Sequence, residues 1–211
     1  MAGNLRLVRF VLASASPARL GVLRSAGIDP SVLVSGVDED AVAAALSDPT
    51  PAGLVTALAL AKAEAVAERV ADAEAVVVGC DSMLSIGGEM VGKPGVPEVA
   101  RKRWAQMAGG SGELLTGHAV LRIEGGRRTR QAVGSQVTTV RFADLSPDEL
   151  EAYVATSEPL EVAGAFTLDG LGGWFVEGID GDPSSVIGIS LPLTRRLLAE
   201  VGVGVVDLWR R

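Results

Sequence analysis

The sequence predicts an α/β fold built on a mixed sheet, and three observations carry that expectation. Short apolar runs alternate with helix-length segments through the first hundred residues, the rhythm of strands joined by crossover helices. One of those runs, "AVVVGCD" at Ala75–Asp81, stays apolar almost to its end, as a strand covered on both faces must. Two long strand patterns, Leu114–Ile123 and Ser135–Ala143, then follow each other across a turn rich in Gly and Arg, which adds an antiparallel pair.

The elements read in order as follows. Arg9–Ser14 is the first strand. Pro17–Ser25 is a helix: Ser16 caps it, Pro17 takes the first position, where no N–H is required, and Gly27 stops it. Ser31–Gly36 reads as a second strand that runs into an acidic loop, "VDED". Thr50 and Pro51 open a long Ala/Leu helix to about Val70. After Ala75–Asp81, "SMLSIGGEMVG" reads as a hairpin turning at Gly87-Gly88, and Pro97–Ala108 reads as a helix. Behind the long strand pair, Ser146 caps a helix with acids in its first turn, and "LPLTRRLLAEVG" is a last amphipathic helix. There is no tandem repeat or low-complexity linker. The chain is expected to be one catalytic domain over 1–211, with a faint division near Gly109–Gly112.

Composition narrows the functional classes. The 211 residues are 48% hydrophobic and 4% aromatic, so Val, Leu, Ile and Ala are expected to build the core. A formal charge of −7 disfavours duplex nucleic acid as partner, because backbone binding needs a basic surface. No apolar run reaches the roughly 18 residues of a membrane span; the most apolar long stretch, Leu54–Val70, carries Lys62, Glu64, Glu68 and Arg69. The N-terminus lacks a signal-peptide pattern, and a single cysteine excludes an internal disulfide. A cytoplasmic location, away from membranes, is expected.

Several short constellations could carry chemistry. In "SASPAR", the N-terminus of the first helix offers free N–H groups to an anion, with the Ser14 and Ser16 hydroxyls and the Arg19 fork beside it. Asp38, Glu39 and Asp40 follow the second strand, where carboxylates can hold Mg²⁺ or Mn²⁺. Asp81 stands just beyond the most apolar strand; a carboxylate there binds a metal, acts as a general base, does both, or merely shapes a turn. Lys62, alone in an Ala/Leu helix, and Lys93, in a "GKP" turn, are compact charges suited to phosphate. The glycine-rich stretch Gly164–Leu191 implies close backbone approach to a ligand, or several positions of positive φ.

These pieces, in this order, resemble the Maf family of nucleoside triphosphate pyrophosphatases. The match runs from about Leu12 to Leu197 through "SASPAR", "VDE", "AKA", "GCDS", "GKP", "TGHAV", "TTVRF" and "GAFTLDGLGGWFVEGIDGDPSSVIG". The resemblance implies an elongated twisted sheet like that of inosine triphosphate pyrophosphatases, with two lobes around a cleft. It implies hydrolysis of a nucleoside triphosphate to monophosphate and pyrophosphate, a divalent metal, clearance of non-standard nucleotides, and a homodimer. By position, Asp81 matches the family's proton-accepting aspartate. Ser14, Ser16, Arg19, Lys62 and Lys93 match its triphosphate-binding set, and Asp38 and Glu39, with Asp81, its metal-side acids. Three positions depart from the thymidine- and uridine-preferring branch: Ala18 replaces an arginine, Ser82 a threonine and Asp169 a glutamine. These are that branch's base-selecting positions, so its pyrimidine preference does not carry over. A rival reading is a nucleotide-binding regulator of septum formation and cell division with little turnover. The intact set of Asp81, Glu39, Lys62 and Lys93 disfavours it.

Overall fold

The computed structural model describes residues 8–209, so the reading of the extreme N-terminus lies partly outside the described residues. Seven strands form one mixed sheet: β1 (Arg9–Ala13), β2 (Ser31–Val32), β3 (Glu74–Ile86), β4 (Glu89–Val91), β5 (Ser111–Glu124), β6 (Arg127–Phe142) and β7 (Val176–Asp180). Their order is β2-β1-β3-β5-β6-β7, with β4 pairing on β3. β1 runs parallel to both β2 and β3, while β4 on β3 and β7 on β6 are antiparallel. The helices are α1 (Pro17–Ser25), α2 (Glu39–Ala44), α3 (Pro51–Ala67), α4 (Pro97–Met107), α5 (Pro147–Ala155), α6 (Pro183–Ile187) and α7 (Leu191–Glu200).

Helix starts follow their caps closely. Ser16, Thr50 and Ser146 each accept from a backbone N–H of the first turn, and each is followed by Pro. At α5 the cap is reciprocal: Glu149 returns its carboxylate to the Ser146 N–H, which satisfies two otherwise unpartnered donors. No helix among the described residues is long and apolar enough to cross a membrane.

Four expectations need correction. The second strand is only Ser31–Val32, because the chain leaves the sheet edge after Leu33 bonds to Leu12. The acidic loop is a helix, α2; Asp38 caps it by accepting from Ala41 at 3.0 Å, and Glu39 and Asp40 favour its positive end. It buries no residue, so it left no apolar stripe to detect. The strand at Ala75 does not stop at Asp81 but continues to Ile86, which places Asp81 within it. "RRTR" belongs to β6 rather than to the turn; Gly125 and Gly126, with φ of 59° and 74°, make a two-residue hairpin alone. The glycine-rich stretch, to which the sequence assigns no elements, holds β7, α6 and two 3-10 turns, Ala163–Ala165 and Leu171–Phe175.

The chain divides into two compact units, each with its own core. The first comprises the described residues up to Asp81, Gly117–Ser135 and those from Leu191 on. Its core is aliphatic, as expected: Val11, Ala59, Ala63, Val66, Val77 and Leu121 pack together. Here α3 lies hard against the sheet, since a Cβ on Gly79 would collide with the Ala59 carbonyl and one on Gly117 with the Val55 carbonyl. The second unit, Ser82–Thr116 and Gln136–Ser190, instead gathers the scarce aromatics. Trp104 meets Phe142 and Tyr153 edge-on at 5.7 and 6.0 Å, and its indole N–H donates to Ala165 at 2.8 Å.

Candidate active site

Parallel pairing sets the site's location. Ala13 of β1 is the register partner of Gly79 of β3, so Ser14 leaves its strand beside the residues leading to Asp81. Ligands collect at such carboxyl ends of parallel strands. The turn out of β1 is short and internally bonded. The Ser14 hydroxyl oxygen accepts from the Ser16 N–H and from the Arg19 guanidinium, both at 3.1 Å. Both bonds use that oxygen as acceptor and leave the Ser14 proton for a further partner. Ser16 accepts from the Arg19 N–H as the cap of α1.

Gly79 then determines what α3 can reach. Because it has no side chain, the helix backbone comes close enough for Lys62 to project onto the strand two residues further on. The Lys62 ammonium donates to Asp81 Oδ1 at 2.5 Å and lies 2.7 Å from Glu39 Oε1. Lys62 and Asp81 are both buried, with side chains 11% and 8% exposed, whereas Glu39 is 54% exposed at the start of α2. A buried charge needs a partner, and here one ammonium serves two carboxylates. The group carries a formal −1, so it attracts a cation while Arg19 nearby attracts an anion. Burial, together with the Asp81 charge, pushes the Cys80 thiol up to about 11, although Arg19 and Lys62 pull the other way.

The structure thus brings Ser14, Ser16 and Arg19 together, and Glu39, Lys62 and Asp81 together, within the first unit. Asp38 is near in sequence but spends Oδ1 on capping α2. Ala18 lies in α1, half-buried. Lys93, Ser82 and Asp169 belong to the second unit. Lys93 and Asp169 are exposed, and the Ser82 hydroxyl is 3.0 Å from that of Thr116, which itself donates to the Ser185 carbonyl. Sequence reasoning did not join Lys62 to Asp81; the available signal was the glycine at 79 facing an alanine-rich helix. Among the described residues no group of three His, Cys, Asp or Glu side chains forms a ready metal cage. The two carboxylates that do meet are hard oxygen donors. They fit Mg²⁺ or Mn²⁺, since Mg²⁺ is usually held by one or two carboxylates plus substrate phosphates.

A family model described as Maf-like protein matches residues 9–201. A nucleoside triphosphate pyrophosphatase of Saccharopolyspora erythraea is 69% identical over 205 residues, covering 96% of this chain and 97% of that one. One of Nocardia farcinica is 66% identical, covering 95% of this chain and 96% of its own length. One of Rhodococcus jostii is 63% identical over 207 residues, with 96% and 97% covered.

Proposed function

This chain belongs to the Maf-like protein family, and from that premise we propose that it is a nucleoside triphosphate pyrophosphatase. The reaction is attack of water on the triphosphate between its α- and β-phosphates, releasing a monophosphate and pyrophosphate. The observation that carries the reading is the buried Asp81–Lys62 pair, joined by the exposed Glu39, beside an anion-ready turn at Ser14, Ser16 and Arg19. Phosphoryl transfer needs positioning and charge neutralisation more than covalent help. Arg19 offers a forked donor to phosphate oxygens, Ser14 and Ser16 offer hydroxyls, and Lys93 is proposed to add a further positive charge. Asp81 takes a proton from the attacking water. Lys62 orients that carboxylate by donating to one of its oxygens. Glu39 and Asp81, with Asp38 close by in sequence, would hold the divalent cation; when bound, it neutralises phosphate charge. The proposed role is clearance of non-standard nucleotides, and the proposed assembly is a homodimer.

Ala18, Ser82 and Asp169 are proposed to select the base. Ala18 has no donor and Asp169 is acceptor-only when ionised, so amino-bearing bases suit them better than uracil or thymine. The test is product analysis across all common ribo- and deoxyribonucleoside triphosphates, with Mg²⁺ or Mn²⁺ and with excess chelator. Pyrophosphate release that stops in chelator supports the reading; orthophosphate release, or full activity in chelator, overturns it. The expected thymidine or uridine preference is no more than about tenfold over the best amino-bearing nucleotide, the scale of one or two hydrogen bonds.

A further inference from the structure

The glycine-rich stretch implies close approach to a ligand or several positions of positive φ; Gly164, Gly181 and Gly188 have φ of 75°, 131° and 129°, and the close approach is to an internal carboxylate. Glu158, which sequence reasoning passed over, lies in a 3-10 turn at Glu158–Glu161. Its Oε1 accepts from the Thr167 hydroxyl at 2.5 Å, the Gly172 N–H at 3.0 Å and the Tyr153 hydroxyl at 3.2 Å; its Oε2 accepts from the Leu171 N–H at 3.1 Å. The chain from Thr167 to Gly172 therefore wraps one carboxylate. Its glycines are needed for that wrap. A Cβ on Gly170 would lie 2.7 Å from Glu158 Oε2, and one on Gly172 would lie 2.6 Å from the Thr167 nitrogen. Two residues ahead of the loop are held in the left-handed region without being glycine: Ser157, next to Glu158, has φ 64° and Ala165 φ 63°. Such backbone persists only where its surroundings over-determine it.

At the tip of this wrapped loop is exposed Asp169, and just beyond it stand Leu171 and Trp174, 48% and 85% exposed. An indole 85% exposed has its ring face open to a ligand. We infer that Glu158 is a positioning residue for nucleobase recognition: its carboxylate holds the Thr167–Gly172 loop in the one conformation that presents Asp169, with Trp174, to the base. The inference rests on the assignment of Asp169 to base selection made above.

Only an ionised carboxylate can do this. Glu158→Gln keeps the shape but turns one oxygen into an NH₂ group. In one amide orientation that group faces the Leu171 N–H; in the other it faces the Gly172 N–H. Hydroxyls of Thr167 and Tyr153 can reverse and accept, but a backbone N–H cannot. Either orientation therefore sets donor against donor. Burial alone would raise the Glu158 carboxyl, yet the bonds from Thr167, Gly172, Leu171 and Tyr153 outweigh it and hold the group below the ordinary glutamate range.

The test compares the unmodified chain with Glu158→Gln and Thr167→Val. It measures kcat and KM for ATP, GTP, CTP, UTP and dTTP with Mg²⁺, and amide hydrogen exchange. In Glu158→Gln the amides of Leu171 and Gly172 should exchange at least tenfold faster, while amides of β6 keep their rates. The spread of kcat/KM between best and worst nucleotide should contract at least fivefold, through KM rather than kcat. Thr167→Val removes one hydroxyl and leaves both backbone bonds to the carboxylate, so it should contract the spread about twofold in a folded protein, even if Glu158→Gln does not fold. An unchanged spread in Thr167→Val, or in Glu158→Gln with faster exchange, overturns the inference. So does an equal fall in kcat for every nucleotide, which would place the loop in the chemistry. An unmodified chain that treats all five nucleotides within twofold also overturns it while leaving the proposed function standing. Absence of pyrophosphate release from all five overturns the proposed function itself.

Discussion

At the scale of single residues, the decisive contact is the Lys62 ammonium between Asp81 and Glu39. Removing one partner of a buried pair is ordinarily costly because the other charge is stranded. Here Lys62 keeps Glu39, so Asp81→Asn is expected to unfold cooperatively, with a midpoint close to the parent's. Turnover is expected to fall at least about a hundredfold, the scale of a positioned acid–base group. Near-normal steady-state kinetics would make Asp81 structural. Cys80, one residue earlier, is fully buried, and its thiol is pushed from an ordinary 9.0 to about 11. The thiolate is the reactive form. An alkylating reagent at neutral pH should therefore modify the native protein slowly and the denatured protein fast. The sign with pH follows from linkage. A thiol harder to ionise when folded contributes stability that is intact below about pH 9 and is lost as pH rises towards 11. Urea midpoints that rise between those values would contradict it.

At the scale of elements, the contact between α3 and the sheet is what makes the residue contacts reachable. Gly79 and Gly117 are the two places where the helix backbone touches strands β3 and β5, and the atoms in the way are carbonyl oxygens of α3 itself. Side-chain ends can swing aside, whereas a helical carbonyl moves only with its helix. Gly79→Ala is thus expected to destabilise by about 1–3 kcal/mol, the range for overpacking a tight core. It should also lower turnover, because the displaced helix carries Lys62 away from Asp81. Chemical denaturation together with steady-state rates checks both; an alanine variant as stable and as active as the parent would show that α3 has slack. The helix onsets were legible locally. Ser16, Thr50 and Ser146, each ahead of Pro, marked them because a cap acts on the next three residues only. Strand ends were not legible: β3 continues through Asp81 because its neighbours pair with it, and no local residue signals that.

At the scale of the whole molecule, one sheet runs through two units whose cores differ in kind. The first is aliphatic and holds the charged group; the second is centred on Trp104 and holds the Glu158-bound loop. Exposed Trp174, Val137, Val133 and Leu171 remain on the surface of an otherwise ordinary acidic chain. The proposed homodimer predicts roughly twice the monomer mass of 21.6 kDa by light scattering at micromolar concentration. A monomer mass there would refute it.

The sequence by itself determined the class of fold, the onsets of α1, α3, α4, α5 and α7, and the identities of the charged and hydroxyl residues at the end of β1 and along β3. It could do so because periodicity, capping and the Maf-like motifs are local, readable within a few residues. Tertiary structure alone decided which of those residues meet. Lys62 reaches Asp81 because a glycine 17 residues downstream of it in the chain lets the helix approach the strand. Glu158 collects four donors because the chain folds back on it after nine residues. Asp38, read as a metal-side acid, also caps a helix, because α2 forms there without burying a residue. The first two outcomes depend on how closely separate segments of the chain approach one another, and a one-dimensional pattern of residue types does not encode that distance.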